Sequence, residues 1–274
     1  MLQMVKGLFG WMRLSPAISW TMSAFAISAG FAVHNLQSAL DVHWEMFGVI
    51  MLSSVLLQGV LRMPDGSLAL GADARRAWFL LSLLGLVTTI TFGEYAAPTT
   101  TASLLLILLL GVFSSLAYTF HPLRHLPLLG EWLGAFPAIV ACTLGTYFLL
   151  TDAWEPVVGI AAVLHSMLCV AWLVQGHLGA LDTGRMTTAA WVAQKFGAAA
   201  ARHVPAGYYL LTSFVGTIVT LQVAHVFLLT VLCSLLGAFN AWNTKPEQLA
   251  DHQIRMLIAV VTHAIALSLW VAWT

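Results

Sequence analysis

The sequence predicts an all-α polytopic membrane protein, a single bundle of nine transmembrane helices with its N-terminus inside. Three observations carry that expectation. Apolar residues make up 60% of the 274 and charged ones 8%, with a mean hydropathy of +0.89, a composition that cannot clothe a water-soluble core. The chain falls into repeated apolar runs of about twenty residues, the length of one bilayer crossing. The few basic residues all fall on one side once those runs are threaded alternately across a membrane.

Taken in order, the spans are expected near 16–35, 44–62, 77–93, 100–118, 130–151, 155–178, 207–222, 223–240 and 254–273. The stretch from Gly207 to Asn240 is continuously hydrophobic and too long for one crossing, so it is read as a tight helical hairpin broken near Gln222 to His225. Ahead of the first span, residues 1–14 place Leu2, Val5, Leu8, Phe9 and Met12 on one helical face beside Lys6 and Arg13. That pattern predicts a short interfacial helix rather than a signal peptide. Residues 186–203 are helix-prone and only mildly apolar, and are expected to run along the cytoplasmic surface into the seventh span.

With the N-terminus inside, Lys6, Arg13, Arg62, Arg75, Arg76, Arg124, Arg185, Lys195, Arg202, Lys245 and Arg255 are all cytoplasmic, while Asp41, Glu45, Glu94, Asp152 and Glu155 gather at the opposite ends. Merging the seventh and eighth spans would break this bias. No composition shift marks a second domain, so residues 1–274 read as one unit with cytoplasmic loops over 62–76 and 179–203. The basic residues are too few and scattered for a nucleic-acid surface. Cys142, Cys169 and Cys233 lie inside apolar runs at unrelated spacings and read as small packing residues. Trp20, Trp44, Trp132, Trp154 and Trp273 lie toward span ends, as in an interfacial aromatic belt.

Two cytoplasmic corners share one outline. Gln58 near the end of the second span is followed seven positions on by Asp65, and Gln175 near the end of the sixth is followed at the same spacing by Asp182. Two mirrored polar corners on one membrane face mark a candidate site, although a solvated loop aspartate is the ordinary role of such a residue. Gln58 and Gln175 equally suit interhelical hydrogen bonding, and the arginines equally suit the charge bias and lipid headgroups. Guanidinium groups at Arg62, Arg75, Arg76, Arg124 and Arg185 can also grip a phosphorylated or quinone headgroup without metal. A different class of function rests on His165, His225 and His263, within or at the ends of spans, where two on facing helices could ligate haem iron. No repeated spacing supports that role, and hydrogen-bonded packing accounts for them as well.

The run Ala117-Tyr-Thr-Phe-His-Pro122-Leu, Leu129-Gly130-Glu131 and Gly145-Thr-Tyr147 resembles a signature of the UbiA superfamily of intramembrane prenyltransferases, within it the 1,4-dihydroxy-2-naphthoate polyprenyltransferases of menaquinone synthesis. Gly71-Ala-Asp73-Ala and Gly184-Arg185-Met-Thr187 are similar to the segments that follow the two corners in that family. The resemblance implies a nine-span bundle around a central cavity, open laterally to lipid, in a bacterial inner membrane. It further implies a polyprenyl diphosphate gripped through Mg²⁺, with an aromatic quinone precursor as acceptor. Asp65 and Asp182 would then be the catalytic, metal-holding carboxylates, and Gln58, Arg62, Tyr118, Arg124, Gln175 and Arg185 would contact substrate, with Tyr118 and Glu131 facing the acceptor. The sequence departs from the family twice: each corner keeps one aspartate where members carry two, and glutamine stands for asparagine. The departure leaves open a catalytically inactive member that binds lipid or quinone and packs with other membrane-complex subunits.

Overall fold

A computed structural model describes residues 16–37, 39–62, 80, 84–85, 87–95, 98–120, 126–181, 187–245 and 248–274. Every regular element among them is helical. They are α1 (Pro16–Leu36), α2 (Phe47–Arg62), α3 (residues 87–95), α4 (Thr101–Phe120), α5 (Phe136–Thr151), α6 (Pro156–His177), α7 (Thr188–Phe196), α8 (Ala198–Ala201), α9 (Val204–Gln222), α10 (Leu228–Trp242) and α11 (Leu249–Trp273). Among the described residues six helical stretches are long and apolar enough to cross a membrane: Thr101–Tyr118, Glu131–Thr151, Pro156–His177, Ala198–Gln222, His225–Trp242 and Leu249–Trp273. The chain is an all-helical, multi-pass membrane protein. The interfacial helix expected over 1–14 lies outside the described residues, as do nearly all of the 62–76 loop and residues 182–186 of the 179–203 loop.

The hairpin break falls where the length of the hydrophobic stretch put it, near Gln222 to His225. Helix α9 ends at Gln222, and a short 3-10 turn, His225–Phe227, opens α10. Residues 188–201 form the two short helices α7 and α8 ahead of α9.

Most of the long helices pack on their chain neighbours, and α11 packs back on α1, so the bundle closes on itself. Helix α6 is its hub. It touches α1, α5, α9, α10 and α11, and 78% of it is buried. Lipid tails are as apolar as leucine, so helices in a bilayer associate through close packing of small residues and through hydrogen bonds. Both appear here. A Cβ on Gly30 of α1 would sit 2.5 Å from the Cα of Ser268, so only glycine lets α1 and α11 approach this closely. The Ser28 hydroxyl shares its proton between the carbonyls of Ala24 and Thr143, the second on α5, and Asn35 Nδ2 donates to the Tyr147 hydroxyl at 2.8 Å. His165 Nε2 lies 3.1 Å from Ser23 Oγ, and His263 Nε2 lies 2.9 Å from Thr230 Oγ1, so both intramembrane histidines join helices. The three cysteines are buried, and none forms a disulfide among the described residues.

The two ends of the bundle differ. At the acidic end Asp152, in a left-handed conformation after α5, accepts from the backbone N–H of Thr99 and of Thr100 and from the Thr100 hydroxyl, and so caps the approach to α4. Partial burial pushes the Asp152 carboxyl up, and the donors on Thr99 and Thr100 more than reverse it, leaving it below its ordinary value. Trp44, Trp154 and Trp273 are exposed there, as a belt requires. Trp20 is not a belt residue: it is fully buried and packs edge-on against Trp172, ring centroids 5.4 Å apart.

Two outcomes follow. Gly30→Ala should cost about 1–3 kcal/mol, the usual penalty for overpacking, read as a lower Tm in detergent. Gly48→Ala, whose Cβ would meet nothing within 4 Å, should leave Tm unchanged. Asp152→Ala should cost about 1 kcal/mol at neutral pH. Because the folded carboxyl titrates below the unfolded one, that contribution is complete above the ordinary value of 3.8 and is lost as pH falls through the lower folded value, so wild type and variant should converge in strong acid.

Candidate functional site

The site is built at the basic end, where α4 finishes, α5 begins and α6 gives way to α7. Pro137 near the start of α5 has no N–H to give, which frees the backbone one turn earlier. The chain answers with a π-helical turn, Glu131–Ala135, in which the N–H of Phe136 bonds the carbonyl of Glu131 five residues back. This turn seats Glu131 at its start, pointing inward and buried to 3% exposure. Gly134 lies in the same turn. A Cβ there would come within 2.6 Å of Tyr118 Cβ, so its absence lets the last turns of α4 close onto the start of α5 and bring Tyr118 inward.

Glu131 joins three segments. Its Oε2 accepts from the Thr188 hydroxyl at 2.8 Å, and its Oε1 accepts from the Thr188 backbone N–H at 3.3 Å. Thr188 is the first residue of α7, so the carboxylate lies at a helix N-terminus, where the dipole favours negative charge. The same Thr188 hydroxyl accepts from the N–H of Leu128 at 2.7 Å. Oε1 also lies 3.7 Å from Nδ1 of His177, the last residue of α6, and His177 Nε2 lies 3.2 Å from the Tyr118 hydroxyl. One carboxylate therefore ties both ends of the second corner, His177 before it and Thr188 after it. Tyr118 and His177 are hydrogen-bonded, and Glu131 lies within electrostatic reach of the imidazole but beyond hydrogen-bond distance, so the three form one buried phenol–imidazole–carboxylate cluster.

Beside this chain, Trp132 stacks on Tyr208 at 5.6 Å between ring centroids. The Tyr209 hydroxyl donates to Gln175 Oε1 at 3.3 Å, joining α9 to α6, and Gln175 Nε2 is buried with no acceptor among the described residues. The carbonyl of Gln175 is thus held by the protein and its amide nitrogen is not. Helix α2 starts beside Leu150 at the acidic end and runs to Arg62, so the first corner leaves the bundle at the same end as the second. Asp65, Arg124, Asp182 and Arg185 lie outside the described residues, as do the side chains of Gln58 and Arg62. The Gly145-Thr146-Tyr147 part of the signature points elsewhere: Tyr147 bonds Asn35, while Gly145 and Thr146 line a cavity of about 30 Å³ with Ser53, Ser54 and Thr89. Tyr147 is sixteen positions beyond Glu131, roughly 24 Å along the helix, too far to share its site. His177 was not singled out by sequence reasoning. Its signal was position alone, two residues beyond Gln175 at the last turn of an apolar helix.

Two solved structures of a UbiA homolog from Archaeoglobus fulgidus, one bound to GPP and Mg2+ and the other to Cd2+, each match this chain with a TM-score of 0.59 at 13% sequence identity, covering 94% of this chain and 98% of that one. The chain has a UbiA-like fold. No family model matches the sequence, and no curated protein does. The likeness spans nearly the whole of both chains, so the UbiA-like bundle accounts for the complete described architecture, including the basic end where the two corners emerge.

Removing the tie at Glu131 should release the second corner without unfolding the bundle. Loss of buried hydrogen bonds to a charged group is worth about 1–3 kcal/mol, so Glu131→Ala and Thr188→Val should each speed limited tryptic cleavage at Arg185 by roughly tenfold. Cleavage at wild-type rate in both variants would remove the tie from the account.

Proposed function

We propose that this protein handles a prenyl diphosphate at its basic end and transfers, or once transferred, the prenyl group to an aromatic quinone precursor. The observation that carries the reading is the buried cluster of Tyr118, His177 and Glu131 at the basic end of a UbiA-like bundle. The Archaeoglobus fulgidus homolog bound to GPP and Mg2+ supports a prenyl diphosphate as ligand and a divalent cation as its companion.

Among the described residues no group of three or more His, Cys, Asp or Glu side chains could hold a metal ion, and both oxygens of Glu131 are taken by Thr188. Asp65 and Asp182 are the candidate ligands, and two carboxylates completed by diphosphate oxygens fit the hard, oxygen-seeking chemistry of Mg²⁺. When bound, that ion would neutralise charge on the departing diphosphate. Arg62, Arg124 and Arg185 would hold the diphosphate from the protein side, and Gln58 and Gln175 would orient it, Gln175 through its unbonded amide nitrogen. Tyr118 would meet the aromatic acceptor and pass its released proton to His177, with Glu131 stabilising the imidazolium. The apolar bundle keeps water from the allylic cation.

A second reading, an inactive member that binds lipid or quinone within a larger membrane complex, is favoured by the single aspartate at each corner and by the Tyr209 bond that occupies the Gln175 carbonyl.

Purified protein given Mg²⁺, a polyprenyl diphosphate and dihydroxynaphthoate should form prenylated product. Asp65→Asn or Asp182→Asn should abolish it, and His177→Gln should lower kcat by roughly a hundredfold, the usual contribution of a general base. Tight, Asp65-dependent binding of the diphosphate without turnover would select the second reading. Absence of both binding and product would end the proposal.

A further inference from the structure

A pocket of about 300 Å³ is lined by Leu178, Gly179, Leu181, Ala198, Arg202, Thr244 and Leu249. Three segments meet around it: the turn after α6, the α8–α9 junction and the link from α10 to α11. Its walls are apolar, from Leu178, Leu181, Ala198 and Leu249, and one charged side chain opens into it. Arg202 is exposed and, among the described residues, makes no hydrogen bond or ion pair to a carboxylate. Lys195, Lys245 and Arg255 belong to the same end of the bundle, against Asp251 as the exposed described acid there.

The third wall has its own order. Asn240 in the last turn of α10 is bonded by His252 Nδ1, which also lies 3.0 Å from Thr244 Oγ1, while Thr244 donates to the Asn240 carbonyl at 2.8 Å. This locks the α10–α11 link to the first turn of α11 and fixes the wall opposite Arg202. Asn240 is also followed by Glu247 at the spacing that separates Gln58 from Asp65 and Gln175 from Asp182.

We propose that this pocket binds a phosphate-bearing headgroup, with the Arg202 guanidinium on the phosphate and the leucine walls around the adjoining carbon atoms. A guanidinium presents paired N–H donors that match two phosphate oxygens, and a positive face concentrates anions before they dock. The volume takes one phosphate and a short attached chain. Its placement at the ends of α6, α9, α10 and α11 is the depth of lipid headgroups. The site needs no metal and stands whether or not the chain transfers prenyl groups.

Native mass spectrometry of the full chain in detergent tests this with dioleoyl phosphatidic acid, dioleoyl phosphatidylcholine, inorganic phosphate and glycerol 3-phosphate as probes. Arg202→Gln should weaken binding by roughly tenfold or more, and Ala198→Trp, which fills the cavity and keeps the guanidinium, should weaken it equally. Lys195→Gln, on the same face but not in the pocket, should change nothing. An Arg202-dependent signal with phosphatidic acid alone identifies a lipid headgroup, and one shared by the soluble phosphates identifies a soluble ester. Equal binding by wild type and Arg202→Gln in all four arms overturns the site, as does an equal loss in Lys195→Gln, which would reduce it to surface charge. Thermal unfolding of each variant checks that the bundle is intact.

Discussion

A buried carboxylate is the constraint around which the basic end is built. Among the described residues Glu131 is the one Asp, Glu, Lys or Arg that the bundle buries. Withdrawing an ionised carboxylate from water is tolerable only when its oxygens are satisfied, and here that need shapes the surrounding chain. Thr188 supplies two donors, the start of α7 supplies a favourable dipole and His177 supplies an imidazole. The segments that provide these groups are brought together by that demand, and the second corner is suspended between them. The π turn has the same logic. Pro137 withholds one N–H, the helix widens to recover a bond from Phe136, and the widened turn delivers Glu131 to its partners.

Much of the bundle was legible in the sequence because the bilayer imposes its own arithmetic. Run length located the helices and broke the long stretch after Gly207 near Gln222, where α9 ends, while the charge bias required two spans there. Residues whose partners come from distant segments were not legible in that way. Trp20 near a span end looked interfacial, but Trp172 on α6 covers it. Tyr118 and Glu131 were drawn out by their resemblance to a signature. His177, which joins them, belongs to no motif and is separated from Tyr118 by two helices. Gln175 had been weighed both as a substrate contact and as an interhelical bond, and its carbonyl takes the second role by accepting from Tyr209 on α9. The signature itself was not one site: its Gly145–Tyr147 part packs helices at the other end.

Hydroxyls carry most of the lateral cohesion. Ser23, Ser28, Thr230 and Tyr209 each reach a partner on another helix, and in a medium without water such bonds have no competing solvent. They sit beside close backbone approaches, and Gly30 is the clearest of these. The two devices reinforce one another, since a short interaxial distance puts a hydroxyl within reach of the neighbouring backbone.

The packing of α1 on α11 has a bearing on how the molecule comes into being. Helix α1 is made long before α11, so it must wait for this partner in the bilayer through the synthesis of all that lies between. During that interval the face around Gly30, and the buried hydroxyls near it, are open to lipid and to any insertion machinery that shelters unpaired helices. The ring therefore closes only once α11 has been made, and a chain released before α11 would leave α1 unshielded.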